Sequence, residues 1–144
     1  MKAALREKSP DDAWNDYLWR VDEELSELDA ARPLTMTFDN FKPMHKDDLR
    51  YPAPRSHRFA IVSLEDGGKH VGNCMYYDLD TVNREAELGI VSGDREYWSD
   101  GYGYDAVTTL LDHLFTTREL KLVYLHTLEW NKRAQRSFSK SGFE

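Results

Sequence analysis

Two glycines one residue apart, in Trp98-Ser99-Asp100-Gly101-Tyr102-Gly103-Tyr104-Asp105-Ala106, stand directly before a run whose apolar residues recur with a helical period. Val107, Leu110, Leu111, Leu114 and Phe115 fall at i, i+3, i+4, i+7 and i+8, which predicts an amphipathic helix of about three turns with the glycines at its start. The first N–H groups of such a helix have no intrahelical acceptor, and its dipole adds about 0.3–1 kcal/mol for a negative charge placed there. Gly101 and Gly103 also tolerate positive φ and the close approach of a ligand. A tight loop closing onto a helix would use the same residues, so context has to separate an anion site from a turn.

A Walker loop requires G-x-x-x-x-G-K-[ST], and no such string occurs in the chain. Gly101-Tyr102-Gly103-Tyr104-Asp105-Ala106 does read G-x-G-x-x-A, with Glu119 downstream as an acid for a ribose. That fingerprint belongs in the first βα turn of a long doubly wound sheet, and too little chain follows Gly103 to build one.

The 144 residues make one domain, 1–144, large enough to bury a core without disulfides or metal. Cys74 is the only cysteine, which leaves no disulfide framework and no Cys-rich zinc site, and its strand setting predicts a buried, inert thiol. No signal-peptide pattern and no apolar run near membrane length is present, so a soluble cytoplasmic protein without a membrane partner is expected. The formal charge of −7 argues against nucleic acid. Asp11, Asp12, Asp16, Asp22, Glu23, Glu24, Glu27 and Asp29 face only Arg20 in their stretch. They describe either a solvated helix face or an acidic wall that attracts a cationic amine.

Ala3–Arg6 reads as a short strand, and Ser9-Pro10-Asp11-Asp12 as a capped helix start leading into a stripe of Trp14, Tyr17, Leu18, Val21 and Leu25. A second helical piece is expected near Phe41–Leu49, capped by Asn40, with Pro43 in its first turn. Arg58–Leu64, His70–Tyr77 and Glu85–Val91 alternate as strands around turns at Glu65–Gly68 and Asp80–Arg84, an antiparallel meander. After the glycine helix come a strand over Leu122–Leu128 and a last helix from Lys132 to Ser141, with Asn131 as cap and Gly142 as stop. The order predicts an α+β fold: a mixed, mainly antiparallel sheet flanked by helices, with one β-α-β crossover carrying the glycine loop.

Three motifs in order, Ala86-Glu87-Leu88-Gly89-Ile90, Tyr97-Trp98-x-x-Gly101-Tyr102-Gly103-x-x-Ala106 and Asn131-x-x-Ala134-x-x-x-Phe138-x-Lys140-x-Gly142-Phe143, give the chain a resemblance. It resembles the GNAT superfamily of acyl-CoA-dependent N-acetyltransferases, in particular the branch of ribosomal-protein N-terminal acetyltransferases. The resemblance implies that acetyl-CoA is the cosubstrate. Its pyrophosphate would lie on the loop of Trp98, Ser99, Asp100, Gly101, Tyr102, Gly103 and Tyr104. Its pantetheine arm would lie along Leu88, Ile90 and Val91, with Asn131 as a further contact. The family normally continues with a last pair of strands after Gly-Phe, so the resemblance describes a C-terminally incomplete domain, and an open sheet edge suited to a homodimer.

An ammonium with a pKa near 10 must lose a proton before it attacks a thioester, which calls for a base or a water chain. The resemblance points first to Glu87; His126 and Glu129, on and after the following strand, are the other candidates. Each also has a structural reading, as a surface or strand-end residue. Where the family often carries a tyrosine as general acid, this chain has Phe138, which cannot donate a proton; Tyr124 and Ser137 are the candidate substitutes, with hydroxyls that sequence does not place. Asp100 stands where related loops often carry lysine or glutamine. The expected activity is acetyl transfer to a primary amine of a protein N-terminus, a polyamine or an antibiotic-like small molecule. The alternatives are a non-catalytic acyl-CoA-binding or interaction module and, more distantly, a nicotinamide-cofactor protein.

Overall fold

Alternation in the middle of the chain does produce the antiparallel meander, and flanking strands extend it to a five-stranded sheet in the order β1-β2-β3-β4-β5. The computed structural model describes residues 2–29, 31–91, 93–98, 100–126 and 132–144. Along the chain the elements are β1 (Ala3–Glu7), α1 (Ala13–Val21), α2 (Glu23–Leu28), α3 (Phe38–Arg50), β2 (His57–Ser63), β3 (Lys69–Asp80), β4 (Glu85–Val91), α4 (Tyr102–Thr116), β5 (Leu122–Tyr124) and α5 (Lys132–Lys140). The first three pairings are antiparallel and β4–β5 is parallel, so α4 is the crossover between them, as the expected fold class requires.

Strand parity gives the sheet two unlike faces. Ala3, Ile61, Cys74, Tyr76, Ala86, Leu88 and Val123 turn toward α4, where Ala106, Val107, Leu110 and Leu114 fill the core. Cys74 is completely buried there, and burial pushes its thiol up to about 12, which makes it the inert thiol expected. The buried stripe of α4 runs through Tyr102, Ala106, Val107, Leu110 and Leu114, and Phe115, expected within it, is 44 % exposed. Beyond the helix end, Gly142 at φ +104 closes α5 with bonds from Gly142 N–H to Ser139 O and from Phe143 N–H to Phe138 O. This is the Schellman pattern, and its usual apolar contact is the Phe138–Phe143 ring pair, 6.0 Å between centroids.

The other face, under α1 and α3, is held by ions. Arg6 binds Asp12 with two bonds, Nη1 to Oδ2 at 3.0 Å and Nη2 to Oδ1 at 2.7 Å, and Ser9 N–H adds a third at 2.8 Å. Asp16 takes bonds from Lys8 Nζ at 2.6 Å and Asn73 Nδ2 at 2.8 Å, and pairs with His45 Nε2 at 2.8 Å. Asp12 and Asp16 are both buried, so these two acids belong to an internal network and to neither the solvated face nor the acidic wall expected of the stretch. Burial alone would raise their pKa values. Arg6, Ser9 and His70 reverse this for Asp12, holding it at about 2, and Lys8, Asn73 and His45 lower Asp16.

Three boundaries differ from expectation, each for a local reason. The helix foreseen through Leu25 breaks at Asp22, whose extended backbone and side-chain oxygen, 3.0 Å from Leu25 N, start α2 afresh. Trp14 and Leu18, within α1, are 52 % and 40 % exposed instead of lining one buried stripe. Thr37, not Asn40, caps α3, so Pro43 sits in the helix interior. Pro43 and Asp39 are both exposed, and water can take the Asp39 carbonyl that a proline nitrogen leaves unpaired. The last strand ends at Tyr124, and residues 127–128 of the expected strand lie outside the described residues. Among the described residues no helix is long and apolar enough to cross a membrane.

Asp12 provides a direct test of the ionic layer. Its folded pKa of about 2 lies below the ordinary 3.8, so its contribution is fully present above pH 4 and disappears as pH falls through 2. Asp12→Asn should cost on the order of 2 kcal/mol at pH 7, read from urea unfolding, and the difference from the natural chain should shrink between about pH 4 and pH 2. A difference independent of pH over that window would show that the Asp12 charge contributes nothing.

Candidate functional site

Parallel pairing between β4 and β5 covers only Glu85–Leu122, Ala86–Val123 and Glu87–Tyr124, while β4 runs on to Val91. The pairing ends at Glu87, and among the described residues the β5-side edge of Leu88–Val91 has no strand partner, an opening called the fork. Backbone donors and acceptors along such an edge are available to an extended ligand. Leu88 itself is buried toward α4, whereas Ile90 and Val91 are half-buried, so this stretch offers its backbone more than its side chains.

Glu87 sits where the fork opens. Tyr77, Glu87 and Tyr124 form one register row across β3, β4 and β5, all on the face away from α4. The Tyr77 hydroxyl donates to Glu87 Oε2, and His126 Nδ1 lies 3.2 Å from the same oxygen. The Glu87 side chain is 12 % exposed and that of His126 79 %, so the pair runs from the sheet to solvent. His126 also meets the Tyr124 ring at a right angle, 6.0 Å between centroids. Burial, then the bond to Glu87 and the charges of Asp29 and Asp78, raise the Tyr77 pKa well above the ordinary tyrosine value. Tyr124 is raised too, by burial and then by Glu87, Asp78, Glu85 and Asp80. Both phenols therefore stay protonated, and Tyr77 acts as a donor. Asp29 is raised by burial and has no hydrogen bond to its carboxylate among the described residues.

On the α4 side of the fork, Gly101 adopts φ +89 and ψ −1 and caps the helix without any side-chain bond. The first helical bond runs from Asp105 N–H to Gly101 O at 3.0 Å, so helix geometry leaves the N–H groups of Tyr102, Gly103 and Tyr104 pointing out of the N-terminus. Asp100 is exposed and Tyr104 is 39 % exposed, with Lys140 Nζ 5.9 Å over its ring. Arg95 lies 5.5 Å over the Trp98 ring. Tyr102 differs from its neighbours: its side chain is buried, accepting from Ser63 Oγ and donating to Glu65 Oε2, both at 3.3 Å. It therefore has only its backbone N–H to give a ligand.

The fold thus gathers Glu87, His126, Tyr124 and the Leu88–Val91 edge at the fork, with the Gly101–Tyr104 turn on the crossover that follows β4. Ser99, Glu129 and Asn131 lie outside the described residues, as does the Ser137 side chain. Phe138 is half-buried against the core and Phe143, as an apolar ring requires. Of the acidic stretch, Asp22 pairs with Arg95 Nη2 at 2.8 Å, and Asp29 acts on Tyr77. Tyr77 is the residue that sequence reasoning missed. Its signal was its place on β3 opposite β4, but a one-residue bulge between Tyr77 and Asp80 hides that pairing from any count made from the turn.

Comparison with known proteins identifies the family. The family described as Acetyltransferase (GNAT) domain matches residues 3–144. The chain is similar to the spermine/spermidine N(1)-acetyltransferase of Bacillus subtilis, 31% identical over 97 residues that cover 64% of each protein. It is also similar to an uncharacterized N-acetyltransferase, p20, of Bacillus licheniformis, 30% identical over 69 residues, 48% of this chain and 38% of that protein. The chain thus spans 38% to 64% of the length of these curated relatives. Among solved structures, the spermidine N-acetyltransferase from Vibrio cholerae in complex with CoA and spermine superposes with a TM-score of 0.85 at 19% identity, over 99% of this chain and 81% of that one. A dodecameric structure of the Vibrio cholerae enzyme gives 0.74 at 19% identity, over 99% and 80%. The fold is shared, and those of the relatives whose substrate is named are spermine or spermidine acetyltransferases and not members of the ribosomal-protein branch the motifs first suggested.

Gly101 can be tested by itself. A Cβ placed there meets no atom within 4 Å, so Gly101→Ala has only the left-handed backbone to oppose it. It should lose about 1–2 kcal/mol, with Gly101→Asn falling between alanine and the natural chain because asparagine tolerates that region. Thermal unfolding that ranks alanine equal to glycine would show that the turn does not hold this conformation in solution.

Proposed function

Because the chain belongs to the acetyltransferase (GNAT) family, we propose that it is a cytoplasmic, acetyl-CoA-dependent N-acetyltransferase whose acceptor is a polyamine. The observation that carries this reading is the fork between β4 and β5, with Glu87 at its opening and the α4 N-terminus on the crossover that leaves its far end. In this reading the pyrophosphate of acetyl-CoA rests on the N–H groups of Gly101 to Tyr104, with Trp98, Ser99 and Asp100 around it. The pantetheine arm follows Leu88, Ile90 and Val91, and Asn131 adds a contact. A strand N–H near the thioester carbonyl stabilises the charge that develops on its oxygen.

The acceptor ammonium gives its proton to Glu87, directly or through water, and His126 carries it on to solvent. The freed amine attacks the carbonyl carbon, the C–S bond breaks, and CoA leaves as thiolate. A thiolate of pKa near 8.5 is an adequate leaving group without the hydroxyl that Phe138 lacks. Tyr124, protonated and on Glu87's row, is the donor we assign to assist it. Glu129 is the second acid assigned to the base role.

Two observations support a polyamine over the protein N-terminus that the ribosomal-protein branch would acetylate. The relatives with named substrates act on spermine and spermidine. The carboxylates of Asp29, Asp78, Asp80 and Glu85 also act on the phenols of Tyr77 and Tyr124, a field suited to several ammonium groups on one acceptor. The β5 edge is our proposed contact for a second copy.

Calorimetric titration with acetyl-CoA, followed by turnover on spermidine and spermine, tests the reading. Glu87→Gln should lower kcat by roughly 10²–10⁴ while acetyl-CoA affinity is retained. Binding of acetyl-CoA without turnover on any amine would favour the non-catalytic module, and failure of a folded sample to bind it would remove the acetyltransferase reading.

A further inference from the structure

The two oxygens of Glu87 are not in the same situation. Oε2 accepts from the Tyr77 hydroxyl and faces His126 Nδ1 at 3.2 Å, and no hydrogen bond reaches Oε1 from any described residue. A carboxylate is symmetric, and its terminal torsion is broad and two-fold, so nothing within the glutamate itself decides which oxygen faces a substrate. That decision needs an outside donor. We propose that Tyr77 is a positioning residue that clamps Oε2 and so assigns Oε1 to the acceptor amine; this rests on the reading of Glu87 as the base.

The clamp is built into the sheet. Tyr77 faces Glu87 directly in the β3–β4 register, so the bond spans neighbouring strands and needs no long flexible reach. The tyrosine ring is seated over Gly89: a Cβ at Gly89 would fall 3.2 Å from Tyr77 Cε1 and 2.8 Å from Met75 Sδ. Absence of a side chain at 89 leaves room for the ring and the Met75 thioether, and a Cβ there would press on Met75 Sδ first and shift the ring by about a few tenths of an ångström. The phenol's pKa lies well above the ordinary value, from burial first and Glu87 second, which keeps the donor proton in place. His126, exposed and on the same Oε2, is then an exit for the proton and not a competitor for the amine. Loss of the clamp leaves the carboxylate present and charged but free to rotate, and misplacement of a reacting group by about 1 Å costs on the order of a hundredfold in rate.

Steady-state kinetics with acetyl-CoA and spermidine separate this role from a structural one. Tyr77→Phe keeps the ring over Gly89 and should lower kcat about tenfold to a hundredfold, with KM for acetyl-CoA unchanged within about twofold. In a Glu87→Gln background the same change should have almost no further effect, because there is no base left to position. Gly89→Ala, which keeps both polar groups and shifts the ring only slightly, should lower kcat by less than Tyr77→Phe does. Tyrosine 13Cζ NMR, with the Tyr77 signal assigned by its absence in Tyr77→Phe, should show that signal moving in Glu87→Gln. Retention of kcat by Tyr77→Phe alongside its loss in Glu87→Gln would overturn the clamp and leave the enzyme reading intact; so would an unmoved Tyr77 signal. A natural chain that binds acetyl-CoA and acetylates no amine would remove the enzyme reading and this inference together.

Discussion

Where β3 meets β4, a single extra residue decides what surrounds Glu87. Asp78 takes φ +53, a conformation aspartate tolerates better than most side chains, and the register slips by one between Tyr77 and Asp80. Counted from the Asp80–Glu85 pair, Glu87 would face Asp78, a like charge, and Tyr77 would face Leu88. With the bulge, Glu87 faces a phenol, and Asp78 moves out to solvent as one of the carboxylates around the fork. A bulge beside a site re-aims side chains at the cost of one ladder position, and here the re-aimed group is a hydrogen-bond donor to a carboxylate.

The sheet on which this row lies is held from its two sides by different forces. Toward α4 the contact is dry: alanine, valine and leucine from the helix against alternating strand residues, with Cys74 sealed among them. Toward α1 and α3 it is ionic, with Arg6 and Lys8 against Asp12 and Asp16, and Asn73 and the two histidines completing the bonds. Buried ions are a weak source of net stability but a strict source of geometry, since removing one partner strands the other in a low-dielectric interior. Such a layer fixes how the N-terminal helices sit on the sheet face that also carries Tyr77, Glu87 and Tyr124.

Much of this was legible beforehand. Local signals gave the strands from Arg58 to Val91, the crossover, the glycine entry to α4 and the Gly142 stop, because period, turn residues and caps act over a few neighbours. What escaped was decided over longer distances. Asp22 looked like one more acid on a helix, and it ends that helix because its backbone is extended and its side chain caps Leu25 N–H to start the next one. Asp12 and Asp16 looked like surface acids, and they are buried because Arg6, Lys8, His45, His70 and Asn73 converge on them from three other segments.

The amino-acid sequence by itself determined the α+β order, the position of the anion-ready helix start and the identity of Glu87 as an acid on a strand. It did so because hydrophobic period and backbone chemistry at glycine are local properties. The tertiary structure decided that β4 and β5 part just after Glu87, that Tyr77 stands opposite Glu87, that His126 reaches the same oxygen and that the side chain of Tyr102 turns into the core. Those depend on strand register and on which faces are buried together, and register is set by contacts between residues far apart in the chain.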